Sequence, residues 1–176
     1  MKLEDQNILF LTRTMKLGGT ENVVLQLCEI FKPLVNNVIV CSCGGVNEQK
    51  LKEMEIKHYT IPDIAEKSPY LMAKTLMAIK NIVKKERITI VHSHHRMAAL
   101  YAELICGKKV IKIANAHNTF HDKKGLTKLA YRNTKLIAVG EMVKKNLVDY
   151  FGFNASQVTV IHNAIEKFDD EVVVDK

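Results

Sequence analysis

The sequence contains no tryptophan, and only 6% of its residues are aromatic. Stacking platforms for single-stranded nucleic acid are built from aromatic side chains, so that class of function is poorly supplied, and no nucleic-acid partner is expected. The four cysteines, Cys28, Cys41, Cys43 and Cys106, include no C-x-x-C pair and do not follow the spacing of a small secreted disulfide framework. Each falls in an apolar run, which predicts buried or semi-buried thiols in a reducing cytosol. No hydrophobic run is long enough to span a membrane. The N-terminal stretch Ile8 to Leu11 follows Glu4 and Asp5 and is too short for a signal h-region. A cytoplasmic location is the expectation. There is no repeat period and no low-complexity tract.

Two common nucleotide motifs are also missing. The dinucleotide fingerprint needs G-x-G-x-x-G directly after the first strand and usually an acid after the second. Here the turn from Arg13 to Leu17 is long and leads only to Gly18 and Gly19, while the second strand ends Cys41-Ser42-Cys43-Gly44-Gly45. A nicotinamide or flavin dehydrogenase is therefore disfavoured. The phosphate loop G-x-x-x-x-G-K-[ST] is absent as well, which disfavours a P-loop nucleotidase. No cofactor is expected.

The 176 residues suffice for one well-buried domain and are too few for two of ordinary size. The hydrophobic fraction of 47% fits a globular core, and the net charge of +7 favours an anionic partner. Apolar runs of strand length recur at 8–12, 38–43, 58–61, 88–92, 110–114, 136–139 and 158–161. Most are continuous rather than alternating, as strands buried on both faces of a parallel sheet read. Helical patterns lie between them. Val23, Val24, Leu27, Cys28 and Phe31 share one face of the first, which stops at Pro33. Ser68 and Pro69 read as N-cap and first residue of another, with Leu71, Met72, Leu76, Ile79 and Val83 as its buried stripe. Further helices fit 98–106, 126–132 and 141–151. The alternation predicts an α/β fold: a doubly wound, mostly parallel sheet of roughly six or seven strands with helices on both faces.

Gly18-Gly19-Thr20-Glu21 stands where the first strand gives way to the first helix. Glycines let a backbone pass close to a ligand, and the first amides of a helix offer unpaired donors to an anion or a polar sugar. Histidines gather at two later strand ends, His92, His94 and His95 at one and His117 with His121 at the other. Zinc binding is set aside, because H-x-H-H lacks a partnered carboxylate motif and Cys41 and Cys43 belong to another strand. His92 reads as a strand residue satisfied by backbone groups, and His95 as a solvent-facing loop residue. His94 and His117 sit one step past their strands, where an imidazole can reach into a cleft.

Five short motifs then occur in order: Gly18-Gly19-Thr20-Glu21, Val91-His92-Ser93-His94, Ala116-His117-Asn118, Ala138-Val139-Gly140-Glu141 and Val160-Ile161-His162-Asn163-Ala164-Ile165-Glu166. In this order and spacing the chain resembles the N-terminal domain of glycosyltransferase family 4, retaining enzymes of the two-domain GT-B type. The resemblance implies a Rossmann-like domain over residues 1–166 that mainly holds the acceptor, with 167–176 as linker or tail. The donor-binding residues of the family lie in a C-terminal domain that this sequence lacks, so the chain by itself is expected to be incomplete for catalysis. His162 and Ala164 replace the proline and glycine usual in the interdomain segment.

By the same resemblance, His117 is the catalytic candidate that contacts the donor sugar near the reacting centre. Gly18, Gly19, Thr20, His94 and Asn118 are the substrate-binding candidates. The departing phosphate takes the acceptor's proton in such enzymes, so no carboxylate nucleophile is required here, and Glu21 and Glu141 read as helix-start acids. The implied partners are a nucleotide-sugar donor and a sugar or lipid-linked acceptor of envelope or capsular polysaccharide synthesis. Lys74, Lys80, Lys84, Lys85, Lys123, Lys124 and Lys128 could lean on an anionic leaflet, and an uncovered interdomain face would favour self-association. Two alternatives stand beside this reading: a non-catalytic sugar-phosphate-binding or partner module of the same fold, and a sugar-nucleotide epimerase of the same two-domain plan.

Overall fold

Every residue of the first strand, β1 (Asn7–Leu11), is buried, which is what a continuous apolar run does when helices cover both faces of a sheet. The computed structural model describes residues 2–163; the expectations for 164–176 lie outside the described residues. After β1 the chain alternates through α1 (Gly19–Phe31), β2 (Asn37–Ser42), α2 (Glu48–Glu53), β3 (Lys57–Thr60) and α3 (Pro69–Lys85). It continues through β4 (Ile90–Ser93), α4 (Arg96–Ile105), β5 (Ile111–Ala116), α5 (Lys124–Ala130), β6 (Lys135–Ala138), α6 (Glu141–Lys145) and β7 (Val158–Val160). A π-helical turn, Asn146–Tyr150, extends α6. No helix among the described residues is long and apolar enough to cross a membrane.

The seven strands pair in the order β3-β2-β1-β4-β5-β6-β7, all parallel. The direction of winding therefore reverses between β1 and β4. At such a switch point the two connecting loops leave in opposite directions and open a crevice at the carboxyl ends of the strands.

Alternate strand residues feed opposite layers. Ile8, Phe10, Val38 and Val40 pack with Val24, Leu25 and Cys28 of α1 and Leu51 of α2. Leu9, Leu11, Ile39 and Val91 pack with Ile79 and Ile82 of α3 and with Ala98 and Tyr101 of α4. A third cluster joins Ala114, Ala116, Leu136 and Ala138 to Ala130, Tyr131, Val143, Leu147 and Phe151. Phe10 is fully enclosed, with its ring 6.3 Å from that of Phe31 and 5.4 Å from the His92 imidazole. Burying one such side chain contributes about 1.5–3 kcal/mol.

Several local expectations need correction. α3 does begin at Pro69, but the Ser68 side chain accepts no capping hydrogen bond. The fully buried residues of α3 are Thr75, Ile79 and Ile82, while Leu71, Met72, Leu76 and Val83 are only half-buried. Its opposite face carries exposed Tyr70 and Met77 among Lys74, Lys80, Lys84 and Lys85, with no acidic residue in the helix. α2 was not anticipated: at six residues with Leu51 alone buried, it has no apolar period to read.

Candidate functional site

A crevice of about 440 Å³ opens at the carboxyl ends of the strands, lined mainly from the loops after β1, β2, β3, β4 and β5 and from the first turn of α1. Of the catalytic and substrate-binding candidates, Thr20, His94, His117 and Asn118 line it. Gly18 and Gly19 are not in the lining; they stand at the start of α1. Gly18 has extended backbone (φ 177°) and supplies no capping side chain to the helix amides. A Cβ on Gly18 would meet only the tip of the Glu21 side chain, and one on Gly19 would meet nothing within 4 Å. The described fold therefore does not itself demand glycine at either position. Gly45 is different. Its φ is +151°, and a Cβ there would lie 2.4 Å from the Met15 carbonyl carbon.

That tight contact belongs to a brace beneath the β1–α1 loop. The Cys43 amide donates to the Arg13 carbonyl (3.0 Å), Met15 N to Gly44 O (2.9 Å) and Asn47 Nδ2 to Lys16 O (2.6 Å). Ser42, His58 and Glu48 tie the other side of the turn. Ser42 Oγ accepts from Gly44 N (3.0 Å) and donates to His58 Nε2 (2.8 Å), and His58 Nδ1 faces Glu48 Oε2 at 3.1 Å. Glu48 also accepts from Gly45 N (2.8 Å). The order Ser-His-Glu resembles a nucleophilic triad, but Ser42 has no exposed surface. It fastens the loop and offers no attacking group.

The histidines form a column. The adjacency of β4 and β5 places His92 against Ile113 in the ladder and carries the residues after both strands to one spot. His92 Nε2 donates to Asn115 Oδ1 at 2.8 Å, so its partner is a neighbouring strand's side chain and not the backbone groups expected. The His92 and His94 rings lie 4.6 Å apart, and His94 Nδ1 is 3.2 Å from His117 Nε2. Burial disfavours the charged imidazolium at each position. It holds His92 down to about 4, pushes His94 well below the ordinary value, and lowers His117, which the Glu21 carboxylate partly offsets. His95 is a half-buried helix cap, not a free loop residue: its Nδ1 accepts from Met97 N at 3.1 Å.

The ion pairs of Arg13 and Arg96 at the crevice had no signal in the sequence because their partners are distant along the chain. Arg13 grips Asp63 through Nε to Oδ1 (2.9 Å) and Nη2 to Oδ2 (2.8 Å), which holds the Asp63 carboxyl below its usual range. Thr14 donates its hydroxyl to Glu21. Arg96 lies 4.7 Å over the Phe120 ring and donates to Asp122 Oδ1 (2.9 Å) and Thr127 (3.2 Å). The loop carrying His117, Asn118 and Phe120 is held by Asn146 in the π-helical turn, whose amide donates to Phe120 O (2.9 Å) and accepts from Phe120 N (3.0 Å). π turns recur at functional sites.

Among the described residues, no group of three or more His, Cys, Asp or Glu side chains is placed to hold a metal ion. The crevice instead combines hydroxyl, amide, imidazole and cationic groups with the Glu21 carboxylate. Such a lining can hold an oxygen-rich, partly anionic molecule by hydrogen bonds.

The sequence profile of Glycosyltransferase Family 4 matches residues 17–167. No curated protein matches the sequence at a significant level. Among solved structures, a glycosyltransferase from Rickettsia africae aligns with a TM-score of 0.77 at 18% identity, covering 91% of this chain and 44% of its own. The lipopolysaccharide outer core galactosyltransferase WaaB aligns at 0.74 and 20% identity, covering 91% and 46%. HepE of Anabaena, solved with UDP and glucose, aligns at 0.70 and 16% identity, covering 91% and 45%. The chain thus spans less than half the length of each of these three, and at such identities the likeness establishes the fold.

Proposed function

The chain belongs to glycosyltransferase family 4, and from that premise we propose that it forms the acceptor-side domain of a retaining, nucleotide-sugar-dependent glycosyltransferase. The observation that carries the proposal is the convergence of Thr20, His94, His117 and Asn118 on one crevice at the β1/β4 switch point. In the proposed reaction a bond forms from an acceptor hydroxyl oxygen to the anomeric carbon of the donor while the bond from that carbon to the nucleotide phosphate breaks. The hydroxyl proton passes to a departing phosphate oxygen on the same face of the sugar.

This domain's residues bind and orient. The first amides of α1, left without a capping side chain, suit a phosphate approaching from outside the crevice, and the open space at Gly19 leaves room for it. His117 is the group proposed to touch the donor sugar, with Asn118 and His94 toward the acceptor. The two inner carboxylates are already engaged, Asp63 by Arg13 and Glu21 by Thr14, which supports a route without a carboxylate nucleophile.

Donor specificity is assigned to a second domain facing this one, in keeping with the length of the structural relatives. An anionic membrane surface is the proposed partner of the lysine-rich face of α3, and a lipid-linked envelope or capsular intermediate the proposed acceptor. The test is release of nucleotide from UDP-hexoses by the product of the full reading frame, with and without His117→Ala. Loss of one preorganised polar contact at the reacting centre is expected to lower kcat by about 100-fold or more. Activity untouched by that change refutes the assignment of His117. Sugar-nucleotide binding without any turnover would favour the non-catalytic module.

A further inference from the structure

The contact between His94 and His117 fixes more than position. His94 is buried, with its ring against those of Phe10 (5.9 Å) and His92 (4.6 Å). Its Nδ1 faces His117 Nε2 at 3.2 Å, and its Nε2 is enclosed with no hydrogen-bond partner. Burial disfavours the charged form of both rings. Two neutral imidazoles that meet nitrogen to nitrogen share a single proton, so one must donate and the other accept.

The two arrangements leave different groups unmet. If His117 donated from Nε2, the proton of His94 would have to sit on its own Nε2, burying an N–H with no acceptor. If His94 donates from Nδ1, the unmet group is only a lone pair on Nε2. Orphaned buried N–H groups are the rarer defect in folded proteins. The Glu21 carboxylate shares the crevice lining and partly offsets the effect of burial on His117.

We propose that His94 is a positioning residue whose Nδ1–H holds His117 in the Nδ1–H tautomer, so that His117 turns a fixed N–H donor toward the crevice. Beside the Glu21 acceptor, this donor suits a hydroxyl group, which can accept from His117 and donate to Glu21 at once. A ligand lacking that hydroxyl leaves the His117 donor unpaired, while Glu21 keeps only its bond from Thr14. The choice of a sugar hydroxyl as ligand rests on the proposed function; the tautomer does not.

The experiment is a long-range proton–nitrogen correlation spectrum of the ligand-free chain labelled with nitrogen-15 in histidine, at pH 7.5. The His117 signals are identified by their loss in His117→Asn. The wild type should show His117 protonated at Nδ1 and bare at Nε2, with the reverse pairing for a proton on Nε2 overturning the proposal. In His94→Phe the proton of His117 should shift to Nε2, the tautomer a free side chain prefers; an unchanged Nδ1–H removes His94 from the role. Should His94→Phe not fold, His94→Leu, which likewise removes the donor, is read in the same way: a proton that stays on Nδ1 of His117 overturns the proposal. A spectrum as expected together with sugar transfer indifferent to His117→Ala would refute the proposed function while leaving the tautomer in place.

Discussion

Acid should weaken this fold through His92 before most carboxylates titrate. The imidazole is enclosed between strands, donates to Asn115, and is held by burial at about 4, against about 6.5 in an unfolded chain. Because the folded value is depressed, the unfolded state binds the extra proton. The contribution of His92 is therefore fully present above pH 6.5 and is lost progressively as pH falls toward 4. At 1.36 kcal/mol per unit, the loss from pH 7.5 to pH 5 is about 2 kcal/mol from this one residue. In a chain of this length that corresponds to about 4–8 °C in Tm.

Thermal and urea unfolding followed by circular dichroism at the two pH values and fixed ionic strength measures the difference. His92→Gln supplies an amide donor for Asn115 but cannot titrate. Its stability gap between pH 7.5 and pH 5 should be narrower than that of the wild type by about 2 kcal/mol. What remains of the gap belongs to His94 and the other histidines whose values burial lowers. An identical gap in wild type and His92→Gln would refute the reasoning, whatever the absolute stability of the variant.

Three further outcomes concern the thiols, a buried ion pair and the face of α3. Cys28 and Cys41 are buried with thiols pushed up to about 12, and Cys106 to about 11, whereas Cys43 is half-buried at the crevice; titration with a thiol-specific disulfide reagent at pH 8 should find one fast thiol per native chain and four after denaturation. Lys112 Nζ lies 2.6 Å from Glu103 Oε2 with both side chains nearly enclosed, so Glu103→Gln, which leaves the ammonium unpaired, should cost about 3 kcal/mol in urea unfolding. A cost below 1 kcal/mol would show that water reaches the pair. If α3 meets an anionic bilayer, Lys84→Glu combined with Lys85→Glu should abolish pelleting with phosphatidylserine vesicles while the chain stays folded, with a modest loss of thermal stability because both exposed lysines sit in the last turn of α3 and Lys85 lies 5.6 Å over the Tyr59 ring; pelleting that survives the change removes α3 from that role.

Much of the architecture was legible along the chain. The strands described fall within two residues of the runs that announce them; for the inner ones the reason is that a strand covered on both faces must be largely apolar, whereas the edge strands β3 and β7 keep exposed residues. Helices with a buried stripe and clear punctuation, such as α1 before Pro33 and α3 from Pro69, were equally readable. What failed to show was either too short for a period, as in α2, or dependent on a partner elsewhere. The unused cap at Ser68, the His92–Asn115 hydrogen bond and the π-helical turn at Asn146 are of the second kind.

The candidate site divides along the same line. The positions of Thr20, His94, His117 and Asn118 at strand ends followed from local pattern and resemblance, but their meeting did not. Strand order brings the ends of β1, β4 and β5 side by side, and with them His94 to His117 across twenty-three residues, while the loop after β3 reaches past β2 to set Asp63 against Arg13 across fifty. Hydrophobic periodicity is a property of neighbours in sequence, so the sequence by itself determined which segments become strands, helices and buried thiols. Pairing, burial and the sharing of a proton between two rings are properties of neighbours in space, and only the tertiary structure decided them.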